Sequence, residues 1–499
     1  MTAYLKRLLA SSMAYQAPSL IAAFLAVITL PLYTRSLTPA DYGYAETLLT
    51  FIIFTSILLR LGLGDAFLRF WFDDEDHARR VDLARSVIAL TATISGVAAL
   101  VGVALADPLS SLLLGREDGG LMRLGLLGLW AFTNLEMATA LLRVQERRKA
   151  YVLASVGNVL LTITLTVTLV VILDGGARGY VLGNYGASTL VLAALWWEQR
   201  EFVAVRIRRG TTATLRPLLA YGGPTIPAEA TVFLLNVVDR AYILRTQSAT
   251  AAGVYAVAIK LATAVIVAVR GFQAAWPPLA YSVTDDAEAK RLYALVTSAY
   301  VAVTGLVVAA LTLMGRWIVR LLAAPEYFEA HEVIPWVALG WALYGLNLVF
   351  ITIAGRAKVT TRNFPAAVAG VAVNVLVLVA LVPSMGIRGA GIALCSAYVV
   401  MVLVIHRLTR TLFEVPFEWG RLTLLVLVIG GMAVGGELLL PDAGAAGFLA
   451  RSALLAAIPV VLLAAGVMRP EEKAGLRALV ASRRGRGRGR GGGDTPSTV

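Results

Sequence analysis

Charge is scarce in this chain. Asp, Glu, Lys and Arg together make up 15% of its 499 residues, while 58% are apolar; soluble domains carry roughly 25% charged residues. A fold surrounded by water could not hide that much apolar surface, whereas lipid is a solvent for it. Cysteine is nearly absent. The single Cys395 lies within an apolar run, which excludes a disulfide framework or a thiolate metal site and leaves it as a small packing residue. The three histidines, His77, His331 and His406, sit in separate links or span ends and form no H-E-x-x-H. There is no G-x-x-x-x-G-K-[ST] phosphate loop and no G-x-S-x-G elbow. Strands of alternating hydrophobicity are missing, so a β-barrel is excluded. No cofactor, metal or enzymatic chemistry is expected.

What the chain has instead is a succession of apolar runs of about twenty residues, each long enough to cross ~30 Å of hydrocarbon. About fourteen are expected, from 12–32, which is read as a retained first helix rather than a cleaved signal, to 448–467. Three matter below: 180–197, 218–244 and 252–272. With the N-terminus in the cytoplasm and the spans alternating, roughly three quarters of the 44 Lys and Arg fall on the cytoplasmic side, as the positive-inside rule requires. Both termini are therefore expected inside. The longest link on the opposite side, 315–332, is too short for a catalytic domain. The formal charge of +13 belongs to this bias and to a basic tail after residue 468, read as a disordered segment drawn to anionic lipid rather than to nucleic acid.

The chain also resembles itself at an offset of 210 residues. Arg35 and Gly43 match Arg245 and Gly253, Arg178-Gly179 matches Arg388-Gly389, and the basic link ending Arg148-Lys149 matches the one holding Lys358. Six spans per repeat is an even number, so the halves enter the membrane in the same orientation and a pseudo-two-fold axis along its normal is expected. The fold class is an all-α polytopic membrane protein. Its expected parts are a six-helix bundle over 1–210, a second over 211–418, an extra helix pair over 419–468 and a basic cytoplasmic tail over 469–499. Pro18, Pro224, Pro227, Pro277 and Pro335 are expected to bend helices.

Ionisable residues inside spans are costly and mark functional sites. At about 100° per residue, Glu229, Asn236 and Arg240 share one face of the seventh span, with Asp239 beside them. Glu46, Thr50 and Arg60 form a stripe on the second span, and Lys260, Thr263 and Arg270 another on the eighth. These stripes are expected to meet across a cavity. Arg60, Arg240, Lys260 and Arg270 would bind an anionic substrate group such as phosphate. Glu229, Asp239, Asn236 and Glu46 are the candidates for a coupling ion or proton.

Short motifs in a particular order add to this. Leu30-Pro31-Leu32-Tyr33-Thr34-Arg35, Leu37-Thr38-Pro39 and Asp41-Tyr42-Gly43 resemble the opening of Wzx-type polysaccharide flippases. Asp239-Arg240, Ala252-Gly253-Val254-Tyr255, Ala258-Ile259-Lys260 and Phe272-Gln273-Ala274-Ala275-Trp276-Pro277-Pro278 are similar to later parts of that family. So are Asn374-Val375-Leu376, Pro383, Gly386 and Gly389-Ala390-Gly391. The resemblance implies the multidrug/oligosaccharidyl-lipid/polysaccharide exporter superfamily: two six-helix bundles, alternating access, and transfer of an undecaprenyl-diphosphate-linked oligosaccharide across the bacterial inner membrane. Its implied partners are the lipid-linked oligosaccharide, membrane lipids and other polysaccharide-assembly membrane proteins. Three alternatives stand beside it. A lipid II flippase is a close relative that the sequence does not separate from it. A drug/cation antiporter of the same superfamily calls for an acidic cavity, and a membrane polymerase or ligase for a substantial outer loop; neither feature is present in the sequence.

Overall fold

The computed structural model describes residues 2–73, 75–203, 211–223, 226–357 and 359–466. The basic tail and the side chains of Glu229 and Asn236 lie outside the described residues. Among these residues every regular element is a helix: α1 (Thr2–Ser36), α2 (Pro39–Leu59), α3 (Leu63–Phe70), α4 (His77–Ala104), α5 (Ala106–Leu114), α6 (Gly119–Val144), α7 (Arg148–Val167), α8 (Gly176–Glu198), α9 (Thr211–Gly222), α10 (Ile226–Thr246), α11 (Ala249–Leu261), α12 (Thr263–Ser282), α13 (Asp286–Leu322), α14 (Ile334–Arg356), α15 (Asn363–Met385), α16 (Ile387–Thr409), α17 (Trp419–Leu439) and α18 (Gly444–Ala464). A 3₁₀ segment, Pro325–Glu332, joins α13 to α14.

Eleven of the helices described are long and apolar enough to cross a membrane, and the bent pair α11–α12 makes a twelfth. The two remaining expected spans fall on α8 and α10, which do not reach that mark by length and composition. Within 218–244, α9 runs to Gly222 and α10 is described from Ile226; residues 224 and 225 lie outside the described residues.

Local chemistry sets the helix starts. Thr38 caps α2 by accepting from the Asp41 N–H at 3.1 Å, with Pro39 in the first turn. Ser248, 210 residues on, caps α11 by accepting from the Ala251 N–H at 3.0 Å. Both caps satisfy an amide that a helix start leaves unpaired. The prolines take different places in the helices. Pro335 occupies the first turn of α14, where its missing N–H costs nothing, and the sharp bend of 46° lies between α11 and α12, at Ala262 rather than at a proline. Pro18 and Pro277 do lie inside α1 and α12, Pro227 falls in the first turn of α10, and Pro224 lies outside the described residues.

The main core runs through α2, α6, α8, α10, α11, α14 and α16. At its centre α2 and α11 cross with backbones in contact. A Cβ on Gly43 would sit 2.1 Å from the Ala249 carbonyl oxygen, and one on Gly253 would sit 1.9 Å from that of Pro39. These are the two glycines related by the 210-residue offset. The offset recurs at Arg178 and Arg388, which pair with Asp118 at 3.0 Å and Glu332 at 2.8 Å. The 3₁₀ segment reaches from α13 to the α1–α2 corner: the Tyr327 hydroxyl donates to Leu37 O at 3.0 Å and the Ala324 N–H to Thr34 Oγ1 at 3.2 Å.

Candidate functional site

Three charged side chains meet just beyond the Gly43–Gly253 crossing. Glu46 lies one turn after Gly43 on α2 and is 6% exposed. Arg240, 7% exposed, comes from α10, and Lys260 from the last turn of α11. Arg240 Nη1 lies 3.1 Å from Glu46 Oε2 and also donates to the Glu46 carbonyl at 2.9 Å and to Thr50 Oγ1. Lys260 Nζ is 2.5 Å from Glu46 Oε1. The Tyr180 hydroxyl, from α8, donates to the same Oε1 at 2.8 Å and accepts from Lys260 at 2.8 Å. The ammonium also lies 4.9 Å from the centre of the Tyr42 ring, a favourable cation–π position. Edge contacts continue from Tyr180 to Tyr33 and from Tyr42 to Tyr327. The cluster thus connects directly to the 3₁₀ segment.

This arrangement answers the cost of burying charge. An unpaired ion in such a place costs several kcal/mol, roughly, and is tolerated only with good geometry and hydrogen bonds to the remaining lone pairs. Here each oxygen of the Glu46 carboxylate faces a cation, and a phenol fills a further acceptor direction. The two cations and one carboxylate leave one net positive charge.

Asp239, adjacent in sequence, points elsewhere. Successive helix positions differ by about 100°, so Arg240 faces α2 while Asp239 faces α11 and α15. Asp239 is fully buried, and its Oδ2 accepts from the Tyr255 hydroxyl at 3.1 Å. Asn374, fully buried on α15, and Tyr398 lie beside the same carboxylate.

Of the expected site residues, the structure brings together Glu46, Arg240 and Lys260, with Asp239 next to them. It does not bring in the others. Arg60 ends α2 at the far end of that helix from Glu46, 3.6 Å from Glu136. Arg270 is exposed on α12. The stripe Lys260–Thr263–Arg270 is interrupted by the break at Ala262, which turns α12 away from α11. Nothing is described of the Glu229 and Asn236 side chains. A cleft of about 610 Å³ opens away from the charge cluster, between α13, α14, α16 and α17, with apolar walls and Arg316, Glu332, Arg388 and Glu437 around it. Sequence reasoning missed Tyr180 and Tyr327. Their only signal was position, at the start of the sixth span and inside the longest link on the side opposite the termini.

The model of the family described as "Polysaccharide biosynthesis protein" matches residues 8–282. No curated protein sequence matches the chain. Among solved structures, the fold is similar to "Lipid II flippase MurJ, inward closed conformation", with a TM-score of 0.68 at 12% identity, over 90% of this chain and 97% of that one. It is similar to an inward-facing multidrug resistance MATE family transporter of the MOP superfamily, with a TM-score of 0.62 at 15% identity, over 81% and 96% of the two chains. The Vibrio cholerae MATE transporter VcmN, in its bent form, matches with a TM-score of 0.55 at 15% identity, over 82% and 99%. At these identities the likeness establishes the fold.

Proposed function

Because the chain belongs to the polysaccharide biosynthesis protein family and has the fold of MOP-superfamily transporters, we propose that it is a flippase for undecaprenyl-diphosphate-linked oligosaccharide. It carries this lipid from the inner to the outer leaflet of the bacterial inner membrane for surface polysaccharide assembly. It works by alternating access between two six-helix halves, 1–210 and 211–418, within fourteen spans, with both termini cytoplasmic and the pair α17–α18 outside the repeat. The paired caps Thr38 and Ser248, the touching glycines Gly43 and Gly253, and the matching ion pairs of Arg178 and Arg388 support a pseudo-two-fold relation between the halves.

The observation that carries the reading is the buried cluster at the crossing of α2 and α11. One carboxylate from the first half is held by two cations from the second. Such a cluster closes one end of a rocking carrier, and its cations suit a diphosphate. The 3₁₀ segment of the second half, hydrogen-bonded to Thr34 and Leu37 of the first, straps the same end. Asp239, with Asn374, Tyr255 and Tyr398 around it, is the site of the coupling proton or cation. Its carboxylate lies among buried polar groups, and its neighbour Arg240 holds the closure, so occupancy at Asp239 and the position of α10 are linked. The fold is equally that of multidrug transporters, but a net positive cluster is unsuited to a cationic drug.

The test is genetic. Deleting the gene should accumulate lipid-linked glycan on the inner leaflet and remove surface polysaccharide. Arg240→Ala and Lys260→Ala should insert in the membrane yet fail to complement. A deletion that leaves the glycan intact and alters only drug sensitivity would refute the reading.

A further inference from the structure

We propose that Glu46 is a built-in counter-ion occupying the place of the substrate's diphosphate, so that the closed end opens only when an anionic group takes its place on Arg240 and Lys260. This rests on the flippase reading and adds the rule by which the carrier distinguishes loaded from empty.

The argument begins with where each partner resides. Glu46 and Tyr180 lie on α2 and α8, before residue 211, while Arg240 and Lys260 lie on α10 and α11 after it. Parting the α2–α11 crossing therefore leaves Glu46 with its Tyr180 hydroxyl and strips Lys260 of both carboxylate and phenol. Arg240 loses Glu46 Oε2, the Glu46 carbonyl and Thr50 together. Arg240 is 7% exposed and the Lys260 side chain 19%, and a cation so placed is costly without a counter-ion. An empty carrier thus stays shut.

An incoming anion changes this. The two Glu46 oxygens bridge an ammonium and a guanidinium, as a pair of phosphate oxygens would. A diphosphate diester carries one negative charge on each phosphate. Replacing the single charge of Glu46 would take the cluster from one net positive charge to neutrality. The substrate is thereby a better counter-ion than the residue it displaces, and the exchange frees the inter-half contact.

The experiment uses the full-length protein in nanodiscs of neutral phosphatidylcholine, titrated with farnesyl diphosphate and, separately, with farnesol. Glu46→Gln removes the competing charge and should tighten farnesyl diphosphate binding about tenfold or more. Glu46→Asp, which keeps the charge but withdraws it by one methylene, should lie between wild type and Gln. Farnesol binding should not respond to either change. Arg240→Gln with Lys260→Gln should abolish diphosphate binding. A merely structural Glu46 predicts the opposite order, with both variants binding more weakly, and that result overturns the inference while leaving the flippase reading intact. The same titration in phosphatidylglycerol nanodiscs should retain the gain; its loss would assign the cations to a phospholipid headgroup and overturn the inference. Absence of diphosphate binding in wild type and both variants also overturns it, and the gene-deletion phenotype then decides independently whether the flippase reading falls with it. Thermal unfolding of each variant separates misfolding from altered binding, and Glu46→Asp keeps the test open if Glu46→Gln fails to fold.

Discussion

The backbone contact between α2 and α11 makes a quantitative demand. Cβ atoms essentially never come within 3.0 Å of another heavy atom, yet a Cβ at position 43 would lie 2.1 Å from Ala249 O and 2.8 Å from Gly253 N. Neither obstacle is a flexible side chain, so Gly43→Ala must part the helices by about 1 Å, an overpacking that typically costs ~1–3 kcal/mol. The same shift would take Lys260 and Glu46 from 2.5 Å to about 3.5 Å, beyond a good hydrogen bond. Gly253→Ala forces the same movement. The two changes are relieved by one separation, so the double variant should cost little more than the worse single one. Gly430→Ala on α17 is the control. Nothing lies within 4 Å of its added Cβ, and a helical Gly→Ala change should stabilise by ~0.5–1 kcal/mol. The chain supplies its own reporter, since its one cysteine, Cys395, is buried and a thiol-reactive fluorophore will report its exposure on heating. Losses of stability at positions 43 and 253, non-additive together, with a neutral or positive change at 430, are expected. Equal tolerance at all three positions would refute the close crossing and with it the geometry of the charge cluster.

Further outcomes follow from other contacts. In a Cys395→Ser background, Thr34→Cys with Ala324→Cys should form a disulfide that stops transport and is reversed by reductant, because the 3₁₀ strap must release; transport unaffected by the cross-link would exclude that role. Asp239→Asn should uncouple transport from the ion gradient while leaving diphosphate binding in place, as measured in proteoliposomes, and full retention of gradient dependence would remove Asp239 from the coupling site. Arg451 is fully buried, pairs with Glu437 and donates to Pro441 O at 3.1 Å and Leu440 O at 3.3 Å. Arg451→Met should loosen α18 from α17, visible as proteolysis after α16; an unchanged digestion pattern would count against it. Asp118 caps α6. Burial raises its pKa, but the Leu121 N–H, Arg178 and Arg116 outweigh this and hold it below its usual value. Its stabilisation is therefore present above the ordinary aspartate range and lost as pH falls through the lowered value. The stability difference between wild type and Asp118→Asn should be full at neutral pH and vanish in acid, and a gap independent of pH would contradict this.

How much of the site is legible in the sequence depends on how local its determinants are. Arg240 and Lys260 stand out because a cation inside an apolar run is costly wherever the run folds. Glu46 stands out as an acid among apolar neighbours, but its chemistry alone points to ion coupling and not to a shared pairing with the two cations. Helical spacing also draws in Arg60 and Arg270. Spacing speaks only of the face a residue occupies, and Arg60 shares a helix with Glu46 while lying at its opposite end. Arg270 is misjudged because the rule assumes one continuous helix, and the chain breaks at Ala262 without a proline or glycine to announce it.

The sequence by itself determined the solvent, the succession of helices and the repeat. Hydropathy and capping act within a few residues of chain, and the 210-residue spacing of Gly43 and Gly253, shared by the capping residues Thr38 and Ser248, is written in the chain itself. Only the tertiary structure decided that those two glycines touch, that Glu46 is shared by Arg240 and Lys260, and that Tyr180 and Tyr327 complete the cluster. These contacts join residues 134 to 290 positions apart. Their energies depend on distance and burial in the folded protein, so no pattern along the chain encodes them singly.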